Sequence, residues 1–168
     1  SDLAAPGWPV SYRSVAGWSN RESGAAPVRR GAYGELSVRW VPALKRYLLL
    51  SSTGPEDPAG AAVVLRTARQ AWGPWSRRVV LLDWVRQGRH ADPAVRFLKA
   101  SPDDPISDRI FPAQAGSLGA GYAPYLFDVT LCEDQIRVRF TFSTWNPYQI
   151  QLMENRFDRD VLMALETR

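Results

Sequence analysis

A chain of 168 residues that is 45% hydrophobic and 23% charged is long and apolar enough to build one buried core, which excludes a disordered protein. The net charge of +4 is modest and no run of Lys or Arg forms a basic patch, so we do not expect nucleic-acid binding. Cys132 is the single cysteine, no Cys or His pair has metal-ligand spacing, and no apolar run reaches the roughly 18 residues of a membrane span; neither a disulfide, a metal, a cofactor nor a span is predicted.

The start of the chain, SDLAAPGW, has neither an initiating Met nor a signal peptide. We interpret it as a cut inside a longer protein, so the missing signal does not indicate a location. The seven Trp residues are a high number for this length. Trp side chains are common where flat ligands such as sugars are held.

The first predicted elements form an imperfect repeat. Val10–Ser14, a strand pattern, is followed by the sequence GWS at Gly17–Ser19. Val63–Thr67 has a similar pattern and is followed by GPWS at Gly73–Ser76. Each copy contains a strand, an Arg, a hydroxyl residue, a turn and then Trp-Ser.

Two predicted hairpins, each leading into a third strand, make up most of the remaining chain. The first comprises Gly34–Trp40, Arg46–Ser52 and then Val63–Thr67; the second comprises Tyr122–Thr130, Ile136–Thr144 and then Tyr148–Met153. Helix is scarce: one or two turns are expected at 93–99, and 158–166 is predicted as a short helix or a final strand.

The apolar stretch Val79–Trp84 adds a fourth strand to the first unit, and units of four strands that recur at about fifty residues are typical of β-propeller blades. We therefore predict an all-β chain, 1–168 as one domain, that holds the C-terminal two to three blades of a propeller, with 86–121 inserted as a loop between blades. Because a closed propeller needs at least about four blades, the other blades would be missing from this chain. A self-contained β-sandwich is the alternative.

The segments that define these strands also resemble a known family. GELSVRW, RYLLLSS, VVLRTA, WGPWS, YAPYLFD and, most specifically, STWNPYQIQLM are similar to a bacterial family of unknown-function domains, some members of which are assigned as endo-D-arabinanases. The resemblance covers most of 18–153. It implies a five-bladed propeller, a secreted or cell-envelope location, and D-arabinan of the actinobacterial cell wall as the polysaccharide substrate.

Glu35 is the predicted catalytic residue. It begins the innermost strand of the complete blade, directly after Gly34, where a side chain would face the mouth of the channel. Glycoside hydrolysis needs two carboxyl groups, and a carboxyl among aromatic rings is suited to proton donation. The alternative is a structural ion pair between Glu35 and Arg39 or Arg66.

Further residues with aromatic, amide or charged side chains are predicted to bind substrate, because rings stack on sugars and amides bond to hydroxyls. They are Arg39, Tyr122, Tyr125, Asp128, Trp145, Asn146 and Tyr148. Asp128 is also the best candidate for the second carboxylate, whereas Asp104 and Asp108 are assigned to a surface loop.

Three functions fit this pattern. The first is hydrolysis of furanosidic bonds in cell-wall arabinan, with Glu35 as the acid. The second is a non-catalytic module that binds glycan, and the third is a scaffold whose carboxylates are all ion-paired. Carboxylates at the inner strands of the missing blades would favour the enzyme.

Overall fold

The structure, a computed structural model, describes residues 11–28, 33–54, 57–58, 60–104, 106 and 114–164. Its residues divide into two compact units, 1–30 and 31–168. The described part of the first unit contains a two-stranded hairpin, β1 (Tyr12–Ser14) and β2 (Gly17–Ser19), and one turn of 3₁₀ helix at Glu22–Gly24.

The second unit contains two antiparallel sheets. The first has the strand order β3 (Tyr33–Val41), β4 (Arg46–Thr53), β5 (Ala62–Ala68) and β6 (Val79–Asp83). The second has the order β7 (Ala120–Cys132), β8 (Gln135–Trp145) and β9 (Gln149–Asp158), followed by the short helix α1 (Arg159–Ala164). The predicted all-β class is confirmed, as are both hairpins and the strand that follows each.

The strands differ in how their faces are buried, and the difference follows from their sequences. Every residue of β5 is buried: its apolar residues Ala62–Leu65 favour this, and the polar Arg66 and Thr67 are buried with them. In β8, a buried face formed by Ile136, Val138, Phe140, Phe142 and Thr144 alternates with a partly exposed one. β5, in the first sheet, is therefore covered on both faces, whereas β8, in the second sheet, is covered on one face.

The core lies where the two sheets pack face to face. Leu48 and Leu50 of the first sheet belong to the same buried cluster as Val138 and Phe140 of the second. Burial of such side chains stabilises the unit by roughly 1.5–3 kcal/mol each. A polar contact also joins the two sheets, because Asn155 Nδ2 of β9 donates to the carbonyl of Leu81 in β6 at 2.9 Å.

The segment between β6 and β7, predicted as an inserted loop, contributes to this core. A single π-helical turn, Trp84–Gly88, begins at Asp83, whose carboxylate accepts the amides of Val85 and Arg86, both at 2.9 Å. The Trp84 ring packs edge-on against Phe142, with 4.9 Å between the ring centroids. The Trp84 ring also lies close to Gly121, where an added Cβ would come within 2.2 Å of it.

A buried ion pair holds the next part of the segment. Arg96 Nη2 lies 2.5 Å from Asp104 Oδ1, and the same carboxylate accepts the amides of Ala100 at 2.8 Å and Ile106 at 3.1 Å. Asp104 is therefore buried and paired rather than part of an exposed surface loop. Asp108 lies outside the described residues, and the helical turns expected at 93–99 do not form; that stretch contains a turn and irregular backbone.

Candidate functional site

Glu35 is placed by a β-bulge in β3. The register passes from Tyr33 opposite Ser52 to Leu36 opposite Ser51, so Gly34 and Glu35 have no partners on β4. Gly34 adopts φ 70°, a conformation that glycine tolerates best. A bulge turns a side chain away from the regular face of a sheet, and the Glu35 side chain is exposed.

A second bulge interrupts β7. Tyr122 lies opposite Ser143 and Tyr125 lies opposite Thr141, which leaves two residues of β7 against one of β8. One of these two, Ala123, has φ 50°, an uncommon value for a residue with a side chain. Tyr122 and Tyr125 therefore flank a local distortion of the strand, as Glu35 lies within one.

The two bulged strands run side by side. The Ser37 hydroxyl accepts the amide of Leu126 at 3.2 Å, and Arg39 Nη1 donates to the carbonyl of Phe127 at 2.5 Å. Because the contacts occur in the same order along both strands, β3 and β7 follow the same direction here. Glu35, two residues before Ser37, is thereby brought level with the β7 bulge.

A cluster of hydroxyl groups that is near enough to feel the charge of Glu35 forms the candidate site. The Tyr122 side chain is hydrogen-bonded to Tyr148, which follows β8, and to Ser143 within β8. We call Glu35, Tyr122, Ser143 and Tyr148 the tyrosine cluster. Its members come from three parts of the sequence: the bulge of β3, the bulge of β7, and the end of β8 with the turn that follows it.

The electrostatics of the tyrosine cluster favour a protonated Tyr122. The hydrogen bond with Tyr148 raises the pKa of Tyr122, and burial, the charge of Tyr148 and the charge of Glu35 raise it further, while the hydrogen bond with Ser143 opposes them. Tyr122 therefore remains a neutral phenol that can donate or accept a hydrogen bond at neutral pH.

Exposed aromatic rings lie within the tyrosine cluster and next to it. Tyr148 is 54% exposed and Tyr125 is 60% exposed. Trp145, 40% exposed, lies two residues after Ser143 on β8 and therefore shares its face of the sheet. The structure thus brings four of the predicted site residues, Glu35, Tyr122, Tyr148 and Trp145, to one end of the sheets, and Tyr125 follows the bulge next to them.

Glu35 forms no ion pair with any residue in the part of the chain that the structure describes. Its two proposed structural partners have other contacts: Arg39 donates to the Phe127 carbonyl, and Arg66 Nη1 donates to the Ser76 carbonyl at 2.8 Å. Arg39 lies along the same strand as Glu35, where it joins β3 to β7. The described geometry therefore leaves the Glu35 carboxylate open to solvent.

Asp128 lies away from the tyrosine cluster. It is six residues beyond Tyr122 on the same strand, on the order of 15 Å away, and its Oδ2 accepts the Thr130 hydroxyl at 2.8 Å. It neighbours a row of charges in which Glu154 receives Arg139 and Arg156, each at 2.8 Å. The hydrogen bond from Arg139 and then that from Arg156 hold the pKa of Glu154 below its ordinary value.

Asn146 is buried, and its side chain bonds to protein backbone. Its Oδ1 accepts the amide of Gln114 at 2.5 Å, and its Nδ2 donates to the carbonyls of Gln114 at 3.0 Å and Ser117 at 2.6 Å. In this structure Asn146 organises the turn that carries Trp145 and Tyr148. Its contact with a ligand stays a prediction.

Two features of the site were not predicted from the sequence. One is Ser143, which the alternation of β8 places on the same face as Trp145, a signal that was available. The other is the pair of bulges, for which the Gly34 position was the single local sign. In the described residues, no group of three or more His, Cys, Asp or Glu side chains is arranged to hold a metal ion.

Comparison with family models matches residues 4–154 to the domain of unknown function DUF4185. The chain belongs to this family. Its description assigns no activity, and no curated protein matches the chain. In the described residues there is no helix long and apolar enough to cross a membrane.

Proposed function

We propose that this DUF4185 chain is part of a carbohydrate-active β-propeller that hydrolyses furanosidic bonds of a cell-wall arabinan, with Glu35 as the general acid. The observation that carries the proposal is the exposed Glu35 carboxylate, without an ion-pair partner among the described residues, beside the hydrogen-bonded hydroxyls of Tyr122 and Tyr148. Arabinan as the substrate, and a secreted or cell-envelope location, follow from the resemblance of the sequence alone.

Two features support the propeller. The first strands of successive sheets, β3 and β7, lie side by side in the same direction, as the inner strands of neighbouring blades would. The outer faces of the stacked sheets also expose apolar side chains, which a two-layer sandwich would replace with polar ones. These side chains are Leu36, Val38 and Trp40 on β3, and Ile150 and Leu152 on β9.

The proposed hydrolysis requires three contributions from the tyrosine cluster and the neighbouring Trp145: stacking on the sugar, hydrogen bonds to it and a proton for the leaving oxygen. The rings of Tyr148 and Trp145 offer flat apolar surfaces to a sugar. The hydroxyls of Tyr122 and Ser143 can bond to sugar hydroxyls. Glu35, in its protonated form, gives a proton to the leaving oxygen, and a second carboxyl group activates water or attacks the anomeric carbon. We assign that second group to another blade.

The test is hydrolysis by the longest natural form of the protein, with Glu35→Gln as the variant and Glu133→Gln as the matched control. Glu133 lies in the exposed turn between β7 and β8, so its exchange should leave turnover unchanged. Glu35→Gln keeps shape but removes the proton, so turnover of arabinan should fall by about 10²–10⁴. An aryl arabinofuranoside with a good leaving group should lose much less.

Equal losses on the polymer and the aryl glycoside, together with a lower melting temperature, would show that Glu35 acts structurally. Unchanged turnover of arabinan with the fold intact would remove Glu35 from the chemistry.

Binding without cleavage is the second candidate function. One observation favours it: within the described residues, Glu35 is the single carboxylate of the tyrosine cluster, and glycoside hydrolysis needs two. An arabino-oligosaccharide that binds the wild-type protein without release of products would establish this function instead.

A further inference from the structure

Two sets of hydrogen bonds hold the turn between β8 and β9, one within the turn and one to the segment before β7. Inside the turn, the buried Thr144 hydroxyl donates to the carbonyl of Pro147 at 2.6 Å. Outside it, the Asn146 side chain makes three hydrogen bonds to the backbone of Gln114 and Ser117. The turn that carries Tyr148 is therefore tied to the segment that enters β7.

The contact between the turn and this segment is close and buried. Asn146 is 3% exposed, and a Cβ on Gly119 would lie 2.7 Å from the Asn146 carbonyl oxygen. The carbonyl of Gln114 also receives Lys99 Nζ at 3.0 Å, a second buried donor. The backbone of Gln114 is thus held by two buried side chains, Asn146 and Lys99.

The backbone of Asn146 explains why this residue type suits the position. Its φ is 66°, in the left-handed region, which Asn and Gly adopt more readily than other residues. Asn also supplies the acceptor and the two donors that the Gln114 and Ser117 backbone groups use. Glycine would preserve the backbone and lose every one of these hydrogen bonds, which makes it a clean test.

We propose that Asn146 is a positioning residue: by tying the turn to the Gln114–Ser117 segment, it holds the Tyr148 ring where its hydroxyl meets Tyr122 beside Glu35. The role of this placement in sugar binding rests on the proposed function. The placement itself does not, so it is tested without any sugar.

The experiment follows the tyrosines by NMR of the chain labelled at tyrosine ¹³Cζ, with the Tyr122 signal assigned from Tyr122→Phe. In the wild type we expect the pKa of Tyr122 to lie above the ordinary value of 10.0, because of its hydrogen bond with Tyr148, its burial and the charge of Glu35, with Ser143 opposing. In Asn146→Gly, which loses all three hydrogen bonds, the midpoint should return towards 10.0. In Asn146→Asp, which keeps the acceptor but sets a carboxylate against two carbonyls, it should also move.

Asn155→Asp is the matched control, because Asn155 also donates its amide to a backbone carbonyl, that of Leu81, away from the turn. Its Tyr122 midpoint should equal that of the wild type, even if its melting temperature falls. An unchanged Tyr122 midpoint in folded Asn146→Gly and Asn146→Asp would overturn the proposal. If both Asn146 variants fail to fold while Asn155→Asp stays folded, the positioning role is also wrong, because Asn146 would then support the whole unit.

Binding of an arabino-oligosaccharide separates this inference from the proposed function. If the wild type binds it, both Asn146 variants should bind it more weakly while Asn155→Asp binds it normally; equal affinity in all would overturn the link to the site. If the wild type does not bind it but the Asn146 variants shift the Tyr122 midpoint, the positioning role holds and the proposed function is wrong.

Discussion

Glu35 owes its exposure to the backbone on either side of it. The bulge at Gly34 and Glu35 lifts these two residues out of the pairing between β3 and β4. Without that bulge, the strict alternation of the strand would place Glu35 on the same face as Ser37, which is buried against Leu126. The function proposed for Glu35 therefore depends on the conformation of its neighbour.

Gly34→Ala should disturb the site more than the fold. Nothing lies within 4 Å of a Cβ added at Gly34, so the cost comes from its φ of 70° alone, about 1–2 kcal/mol. Gly60→Ala is the control, because Gly60 has φ 72° and equally open surroundings but lies between β4 and β5. Urea unfolding should give similar losses in both variants, whereas only Gly34→Ala should shift the Tyr122 midpoint. Equal midpoints would contradict the role of the bulge.

At the scale of elements, the segment between β6 and β7 is a structural part of the second unit. Trp84, Phe97 and Leu98 extend the core across the end of β8, where both Trp84 and Phe97 contact Phe142. The Arg96–Asp104 pair and the Lys99–Gln114 contact organise the backbone that cannot pair with a sheet. The segment thereby supports the turn and the strand that carry the tyrosine cluster.

Asp104→Asn should destabilise the protein by about 3–5 kcal/mol at pH 7, because it leaves the Arg96 charge buried without its counter-charge. Burial alone would raise the pKa of Asp104, but hydrogen bonds from the Ala100 amide, Arg96 and the Ile106 amide lower it below its ordinary value of 3.8. A carboxyl whose pKa is lower in the folded state stabilises the fold above its unfolded pKa and loses that effect as the pH falls through the folded one.

The difference in the free energy of unfolding between wild type and Asp104→Asn should therefore be largest at pH 7 and should shrink progressively below about pH 4. Urea denaturation at pH 7 and pH 3 measures it. Asp103→Asn, at an exposed neighbouring carboxylate, should differ little from wild type at either pH. A difference that stays constant between the two pH values would show that Asp104 does not carry the effect through its charge.

At the scale of the whole molecule, the described sheets present apolar surface where a solvated protein would present polar surface. Ile150 is 74% exposed and Leu152 is 62% exposed on β9, while Tyr125 and Phe127 project from β7. Contiguous exposed apolar residues mark surfaces that are normally covered. In the propeller that we propose, further blades would cover these side chains.

Expressed alone, the 168-residue chain should therefore self-associate, and Ile150→Lys with Leu152→Lys should reduce that association. Val15→Lys with Val95→Lys is the control, because both valines are exposed but lie apart from the β9 surface in the sequence. Sedimentation velocity across a range of concentrations distinguishes them. A wild-type chain that stays monomeric and melts sharply would show that these faces need no cover.

Local sequence patterns predicted most of the strands in the second unit. The alternation in 136–144 predicted β8, because burial on one face imposes that pattern, and the strand pattern of Val63–Thr67, which begins with three apolar residues, predicted β5. Of the two alternatives predicted for 158–166, a short helix or a final strand, the structure has the helix, α1 at Arg159–Ala164. The neighbours that short turns join, β3 with β4, β7 with β8 and β8 with β9, also followed from the sequence.

Tertiary structure alone decided how the site is assembled. The bulges depend on the pairing of β3 with β4 and of β7 with β8, and apart from the glycine at position 34 no local pattern marked where the register shifts. The burial of Asn146 and Asp104 depends on partners that are distant in the chain or are backbone groups without a side-chain signal. The sequence determined which residues face inward or outward on each strand, because that is a property of single strands; packing between strands determined which carboxylate remained exposed beside the tyrosines.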